Sequence, residues 1–473
     1  MREDQGPREG TVDEGVLGKK ALSRRDFLRY AGLAGASIGV GTGFAGLLAA
    51  CADAEETTTT TTAAGGAYTT AATPVTAASA GPQPPAQDKI VVGAARSVTG
   101  SLSSFEAWLF GPAYRLWVQD VNAAGGINVA GKKLPVELKV YDDESRMDNC
   151  VRLFTKLIEK DKVDFVLGPA GTDFVVAAAE VATAHKYILI STEAMHTTLE
   201  TRRAKGDLPY YFQTTNSADR YQIPAFVDIC EEVGIKSVAT IYRHDSMGID
   251  YGAQTAIHLS ARFIDEAMSV AIPLDFRMAD MPNIIKQAQD LDVDAVCIFA
   301  FPDVNVLGLQ TMIGLGYSPK AVFIGGGGAF QSFHDSFQGA MEGVMFIGAW
   351  SVNSSPQAKA YYDKLVTFLG GPDNVEFSTQ LLYRSQLEFF QQAIEKAATL
   401  DQEVIAEVMR TAHFRTSISP DTFFTNQSLD FSCYAGQVGQ WQKGIAEVVD
   451  VGDKRTAVPI YPKDPWPQPP PTS

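Results

Sequence analysis

The residue types that could do chemistry in this 473-residue chain are dispersed. Its histidines, His185, His196, His244, His258, His334 and His413, show no H-E-x-x-H or other ligand spacing, and no cysteine forms a C-x-x-C pair. "GINVAGKK" (Gly126 to Lys133) nearly spells a P-loop, but Lys133 stands where a Ser or Thr would hold Mg²⁺; a short turn is the simpler account. "GASIG" (Gly35 to Gly39) and "GTGFAG" (Gly41 to Gly46) fit a nucleophile elbow and a dinucleotide loop, yet neither follows a strand-like run. The acids of "YDDE" (Tyr141 to Glu144) suit carboxylate or metal chemistry, and equally a solvated or capping role. No catalytic residue, metal site or cofactor is therefore assigned, and an enzyme is not expected.

The elements that would position any site alternate. "KIVVGAA" precedes "GPAYRLWVQDVNAAG", "LPVELKVYDDE" precedes "DNCVRLFTKLIEKD", and "VDFVLGPA" precedes "FVVAAAEVATAHK". After "YILIST" the pattern resumes with "SVATIYRHD", "YGAQTAIHLSARFIDEA", "DAVCIFAF", "VNVLGLQTMIGLG" and "AVFIGGG". Continuous apolar strands separated by amphipathic helices specify an α/β fold of parallel sheets covered on both faces. Ligands of such sheets bind outside the carboxyl ends of the strands, so the informative residues belong to strand-to-helix loops. Roughly 370 residues, Lys89 to Val458, are too many for one ordinary core and suit two lobes.

The formal charge of −16 argues against a nucleic-acid partner, because phosphate binding needs a basic face. Upstream of the body, Arg24 and Arg25 precede an uncharged run, Ala31 to Ala50, with the polarity of an export signal. Its six glycines make it a poor membrane-spanning helix. The segment resembles a twin-arginine signal, and "LAAC" (Leu48 to Cys51) resembles a lipobox, so residues 1–51 are expected to be a signal and Cys51 a lipidated N-terminus on a membrane surface. An uncleaved anchor with Cys51 as an ordinary small residue is the competing account. Residues 52–87, rich in Thr, Ala, Gly and Pro, cannot bury a core and are expected to form a disordered tether. Of the remaining cysteines, Cys230 and Cys297 lie in apolar runs, which suits buried free thiols, though one disulfide among Cys150, Cys230, Cys297 and Cys433 is open.

"VNAAGGINVAGKKLPVELKVYDDES" (Val121 to Ser145), followed by "VDFVLGPAGT" and "YILIST", resembles the periplasmic branched-chain amino acid binding proteins, extracytoplasmic receptors of ABC importers, over about residues 90–449. The resemblance implies a two-lobed type I periplasmic binding fold, each lobe a parallel sheet flanked by helices. The lobes would be 88–214 with 352–420 and 215–351 with 421–458, followed by a Pro-rich unstructured tail, 459–473. Three hinge crossovers would fall near Gln213 to Ser217, Ala349 to Asn353 and Ser417 to Thr425. It also implies a monomer that captures a small polar solute by closing and delivers it to an ABC permease from the outer face of the cytoplasmic membrane. A sensory receptor module of the same fold, signalling to a membrane partner, is the alternative.

Carried across, the resemblance places Thr172 of "GPAGT" at a hydroxyl that meets the ligand carboxylate, at the start of a helix whose free N–H groups favour an anion. A plain helix cap is the alternative for Thr172. In "ISTEAMH", Glu193 and Met195 stand where the family has a small residue and a Thr, a departure; Glu193 could simply face solvent. Phe301 of "FAFPD" takes the position of an aromatic that covers the ligand, or is a structural Phe. Gly327 of "FIGGGGAF" stands where amino-acid receptors present an acid to the ammonium, so Asp245, Glu193 or Glu106 must compensate or the solute is not a conventional α-amino acid. Trp108 and Tyr221 are further aromatic candidates near the cleft mouth, each equally explained by core packing.

Overall fold

The computed structural model describes residues 83–466 except 195, 216, 274–277 and 349. Arg24, Arg25, Cys51, Met195 and nearly all of the expected tether lie outside the described residues. Among the described residues, no helix is long and apolar enough to cross a membrane.

Two seven-stranded sheets form the two lobes. The first opens with β1 (Ile90–Arg96), whose sequence IVVGAAR is almost wholly buried because helices cover both faces. A small hairpin, β2 (Ile127–Val129) and β3 (Lys132–Leu134), leads to β4 (Val136–Asp142), then β5 (Phe165–Leu167), β6 (Leu189–Ser191) and β7 (Tyr211–Gln213). The second sheet contains β8 (Ser237–Arg243), β9 (Asp265–Ile272), β10 (Ala295–Phe299), β11 (Ala321–Ile324) and β12 (Met345–Ile347). The chain then returns to add β13 (Phe424–Thr425) and β14 (Ser428–Leu429) to the first sheet, and finally β15 (Val438–Gln442) and β16 (Ile445–Val448) to the second. Strand orders are β13-β14-β7-β6-β5-β1-β4 and β16-β15-β12-β11-β10-β8-β9, with parallel pairing except in the antiparallel pairs β13–β14, β12–β15 and β15–β16.

Helices that matter below are α1 (Gly111–Ala123), α2 (Met147–Glu159), α3 (Thr172–Ala184), α4 (Thr197–Ala204), α5 (Ile223–Val233) and α6 (Ser246–Ala261). After them come α7 (Met281–Asp290), α8 (Pro302–Gly314), α9 (Gln331–Phe337), α10 (Pro356–Leu369), α11 (Gln380–Ala397) and α12 (Gln402–Thr411). Their amphipathic faces carry the core: α2 buries Cys150, Leu153, Phe154, Leu157 and Ile158, positions three and four apart, against the first sheet.

The chain passes between lobes between Gln213 and Ala218, between Ile347 and Pro356, and between Leu429 and Val438. The third passage is later than the stretch Ser417 to Thr425, because Ser428 pairs with Gln213 and holds the β13–β14 hairpin on the first sheet. The tail also departs from expectation. Residues 459–466 pack on the second lobe, where Trp466, 5% exposed, donates its indole N–H to the Tyr317 carbonyl at 2.6 Å. Burial of Lys463 lowers its pKa to about 8, and its ammonium lies 3.3 Å from the Trp466 ring centroid. A large indole offsets the ordering entropy that the prolines alone would not. Cys150, Cys230, Cys297 and Cys433 are all buried and free.

Candidate functional site

Residues of both lobes line one cavity of about 290 Å³, at the small end of ordinary ligand sites. It lies at the carboxyl ends of the strands in both sheets, where parallel α/β sheets bind ligands.

The first-lobe wall begins after β1. A π-helical turn, Glu106–Phe110, buries Trp108, and Gln380 at the start of α11 donates its amide to the Trp108 carbonyl at 2.7 Å. Phe105 and Trp108 both line the cavity. Thr172 also lines it as the first residue of α3; the cap itself is Gly171, at φ +86, so Thr172 is freed from the capping role. The first N–H groups of α3 have no acceptor inside the helix and favour negative charge nearby. Glu193 follows β6, 7% exposed, and it faces the cavity rather than bulk solvent. Desolvation raises its pKa to about 8; Arg96 opposes the shift and Glu376 adds to it.

The second-lobe wall carries Arg243, Asp245, Phe301, Gly325 to Gly327 and Phe330. Asp245 caps α6 by accepting from the Gly248 N–H at 2.9 Å, and its other oxygen lies 2.9 Å from Arg243 Nε. The Arg243 guanidinium sits 3.9 Å from the centroid of Phe301. Gly327 has φ +90, and a Cβ there would lie 2.8 Å from the Pro302 side chain. No acid fits at that position, which accounts for its absence.

Aromatic pairs cross the gap. Phe105 meets Phe301 edge-on at 5.5 Å and Trp108 meets Phe330 edge-on at 5.8 Å, contacts worth about 0.5–1.5 kcal/mol each beyond area burial. Polar contacts do the same: Ser246 Oγ donates to Asp173 at 2.5 Å, and Asp250 accepts from the Thr197 N–H at 3.0 Å and from its hydroxyl.

Tyr221 does not line the cavity. Its ring stacks on Phe431 at 5.2 Å and leans on Tyr434, so packing at the hinge accounts for it. Glu106 is committed to Arg96 at 3.0 Å and is not a free acid. The expectations missed Arg96, Arg243, Phe330 and Glu376. The two arginines are the last residues of β1 and β8, a charge closing an otherwise apolar strand in each lobe. Arg96, fully buried, also donates to the Gly168 carbonyl and lies over the Phe110 ring at 3.3 Å. Glu376 accepts from the N–H groups of Ser378 at 3.0 Å, Thr379 at 2.6 Å and Gln380 at 3.1 Å, an anion held at the start of α11. Burial nonetheless raises its pKa.

Solved structures share this architecture. A solute-binding protein of an ABC transporter from Rhodopseudomonas palustris BisB5, in complex with 3,4-dihydroxybenzoic acid, is 20% identical, with 81% of this chain and 99% of that one covered at a TM-score of 0.63. The branched-chain amino acid transporter substrate-binding protein LivJ from Streptococcus pneumoniae, in complex with isoleucine, is 21% identical over 76% and 98% of the two chains, TM-score 0.60. A leucine-binding protein, LivK, from Thermotoga maritima is 18% identical over 76% and 97%, TM-score 0.62. The family model for periplasmic binding proteins matches residues 89–444. With three-quarters of its length inside that model and a cavity lined by two lobes, the chain belongs to the periplasmic binding protein family and is a binding protein, not an enzyme.

Proposed function

We propose that this protein is the extracytoplasmic solute receptor of an ABC importer, capturing a small polar solute, an amino acid, amide or related carboxylate, by hinge closure and delivering it to a permease. The observation that carries the proposal is the shared cavity: Thr172 and Glu193 from one lobe face Phe301 and Arg243 from the other, so solute contacts are complete only when the lobes meet. Differential binding of this kind shifts the population toward the closed form, and no chemical step is needed. The similar structures, a 3,4-dihydroxybenzoic acid complex, an isoleucine complex and a leucine-binding protein, support this range of solutes. On the same proposal Cys51 carries lipid and the 52–87 segment tethers the receptor to the membrane.

A thermal-shift screen of amino acids, amides and aromatic acids tests the solute class. A true ligand at 100 times its Kd adds about 2.7 kcal/mol of stability. If no member of these classes raises the melting temperature, the proposed solute range fails.

A further inference from the structure

Arg243 ends β8 on the second-lobe wall of the cavity with its side chain only 22% exposed. Among the described residues, none of its guanidinium N–H groups meets an acceptor in hydrogen-bonding geometry. Asp245 lies 2.9 Å from Nε and balances the charge, but its carboxylate is aimed at the Gly248 N–H that it caps, and Nε is left without a hydrogen bond. A guanidinium carries five donors and no acceptor, so a charge partner alone does not satisfy it. Phe301 lies under it, 3.9 Å from ring centroid to guanidinium carbon, which holds the group in place and leaves the donors at its rim. The neighbouring wall, Gly325 to Gly327, carries no side chain that could block approach.

The other charges of the cleft are engaged elsewhere. Glu376 accepts from the N–H groups of Ser378, Thr379 and Gln380 and from the Thr379 hydroxyl. Asp173 accepts from Ser246. Arg96 donates to Glu106 and to the Gly168 carbonyl; its Nη2 has no partner, but the residue is fully buried and outside the cavity lining. The charges that act on Glu193 are those of Arg96 and Glu376, so the acids of the first-lobe wall answer to Arg96 and leave Arg243 to the cavity.

Building on the solute-receptor proposal, we infer that Arg243 is the second-lobe anchor of the solute and takes a carboxylate on its guanidinium fork, so that the solute is an organic acid with a compact apolar or aromatic body. A planar carboxylate offers two oxygens at the spacing of two parallel N–H donors, which an amide or a lone hydroxyl does not. The body of the acid packs on the faces of Phe105, Trp108 and Phe330. Thr172 and the start of α3, on the opposite wall, remain open to a second oxygen of the solute.

Matched probes isolate the fork: benzoate and benzamide, 3,4-dihydroxybenzoate and 3,4-dihydroxybenzamide, and 4-methylpentanoate and 4-methylpentanamide, titrated calorimetrically into the full chain. Each pair keeps the body and exchanges the carboxylate for a neutral amide. At least one acid should bind, about 100-fold more tightly than its amide. Arg243→Gln should weaken the acid about 30-fold and the amide by less than about threefold, so that the preference collapses, and Arg243→Lys, which keeps the charge without the fork, should retain part of it. Thr172→Ala should leave a clear preference for the acid, which separates an anchor at Arg243 from one at α3. The unliganded melting temperature of each variant verifies its fold. A merely structural role for Arg243 would weaken acid and amide alike. That result, an acid preference untouched by Arg243→Gln, or amides that bind as well as acids would overturn the inference and leave the solute-receptor proposal standing. Failure of every acid overturns the inference too, and failure of the wider solute screen as well overturns the proposal beneath it.

Discussion

At the residue scale, Glu193 makes the clearest prediction because its ionisation is set by the fold. Its pKa, about 8, lies above the ordinary glutamate value of about 4.3. The folded protein thus holds a proton that the unfolded chain releases once pH passes the ordinary value. Stability from this group is fully present below about pH 4 and is lost as pH rises toward 8. The charged and titratable groups that act with it are Arg96, Glu376, Tyr114 and Tyr251. Glu193→Gln should therefore raise the melting temperature of the unliganded protein at pH 8 relative to wild type and have little effect at pH 5; the reverse order would show that Glu193 is ionised and satisfied. Gly327→Asp is the second residue-scale test. It forces a left-handed backbone and a contact with Pro302, and strain of about 1–3 kcal/mol should lower the melting temperature measurably rather than create a new acid site. Thr172→Ala and Phe301→Ala should each weaken solute binding roughly tenfold, about 1.4 kcal/mol, and unchanged affinity in both would mean the pocket is misplaced.

The lesson for sequence reading is visible in the same residues. Thr172, Glu193, Asp245, Phe301, Gly327 and Trp108 all line the cavity, since strand-to-helix loops can be located from the apolar runs around them. Glu376 could not be found in this way. Its setting is made by the turn that opens α11, more than 180 residues from Glu193, and nothing local marks it. Tyr221 has the composition of a ligand aromatic, but its surroundings, Phe431 and Tyr434, come from a distant segment.

At the scale of elements, helix starts from opposite lobes interlock. Asp250 of α6 accepts from the first N–H and the hydroxyl of α4, and Ser246, the first residue of α6, meets Asp173 in the first turn of α3. Asp250 is nearly buried and lies outside the cavity, so it bears on the closed form without touching solute. A charged hydrogen bond of this kind is worth about 1.5–3 kcal/mol. Asp250→Ala should weaken solute binding by roughly one to two orders of magnitude while changing the unliganded melting temperature little; calorimetry on the purified variant decides it. Unaltered affinity would mean the contact adds nothing to closure. The parallel sheets were legible from their continuous apolar strands. The third crossover was not, because β13 and β14 are two residues each and too short to carry a pattern.

At the scale of the whole molecule, two covered sheets are joined by three passages, and on the proposed function they act as a clamp whose closure and solute affinity are one equilibrium. The tail packs Trp466 on the second lobe, which composition alone, dominated by proline, did not foretell. Membrane attachment is tested separately: mass spectrometry of the exported protein should find an acylated Cys51 as its first residue, and Cys51→Ala should release the protein from membranes.

The most direct measurement of the clamp is a cross-link between its jaws. Cysteines at 173 and 246 replace side chains that now touch across the lobe interface, at 2.5 Å between Asp173 and Ser246. Under mild oxidant the Asp173→Cys, Ser246→Cys protein should form the disulfide faster when a solute that raises its melting temperature is present, and should then release that solute far more slowly. A rate indifferent to every stabilising solute would contradict closure around a ligand.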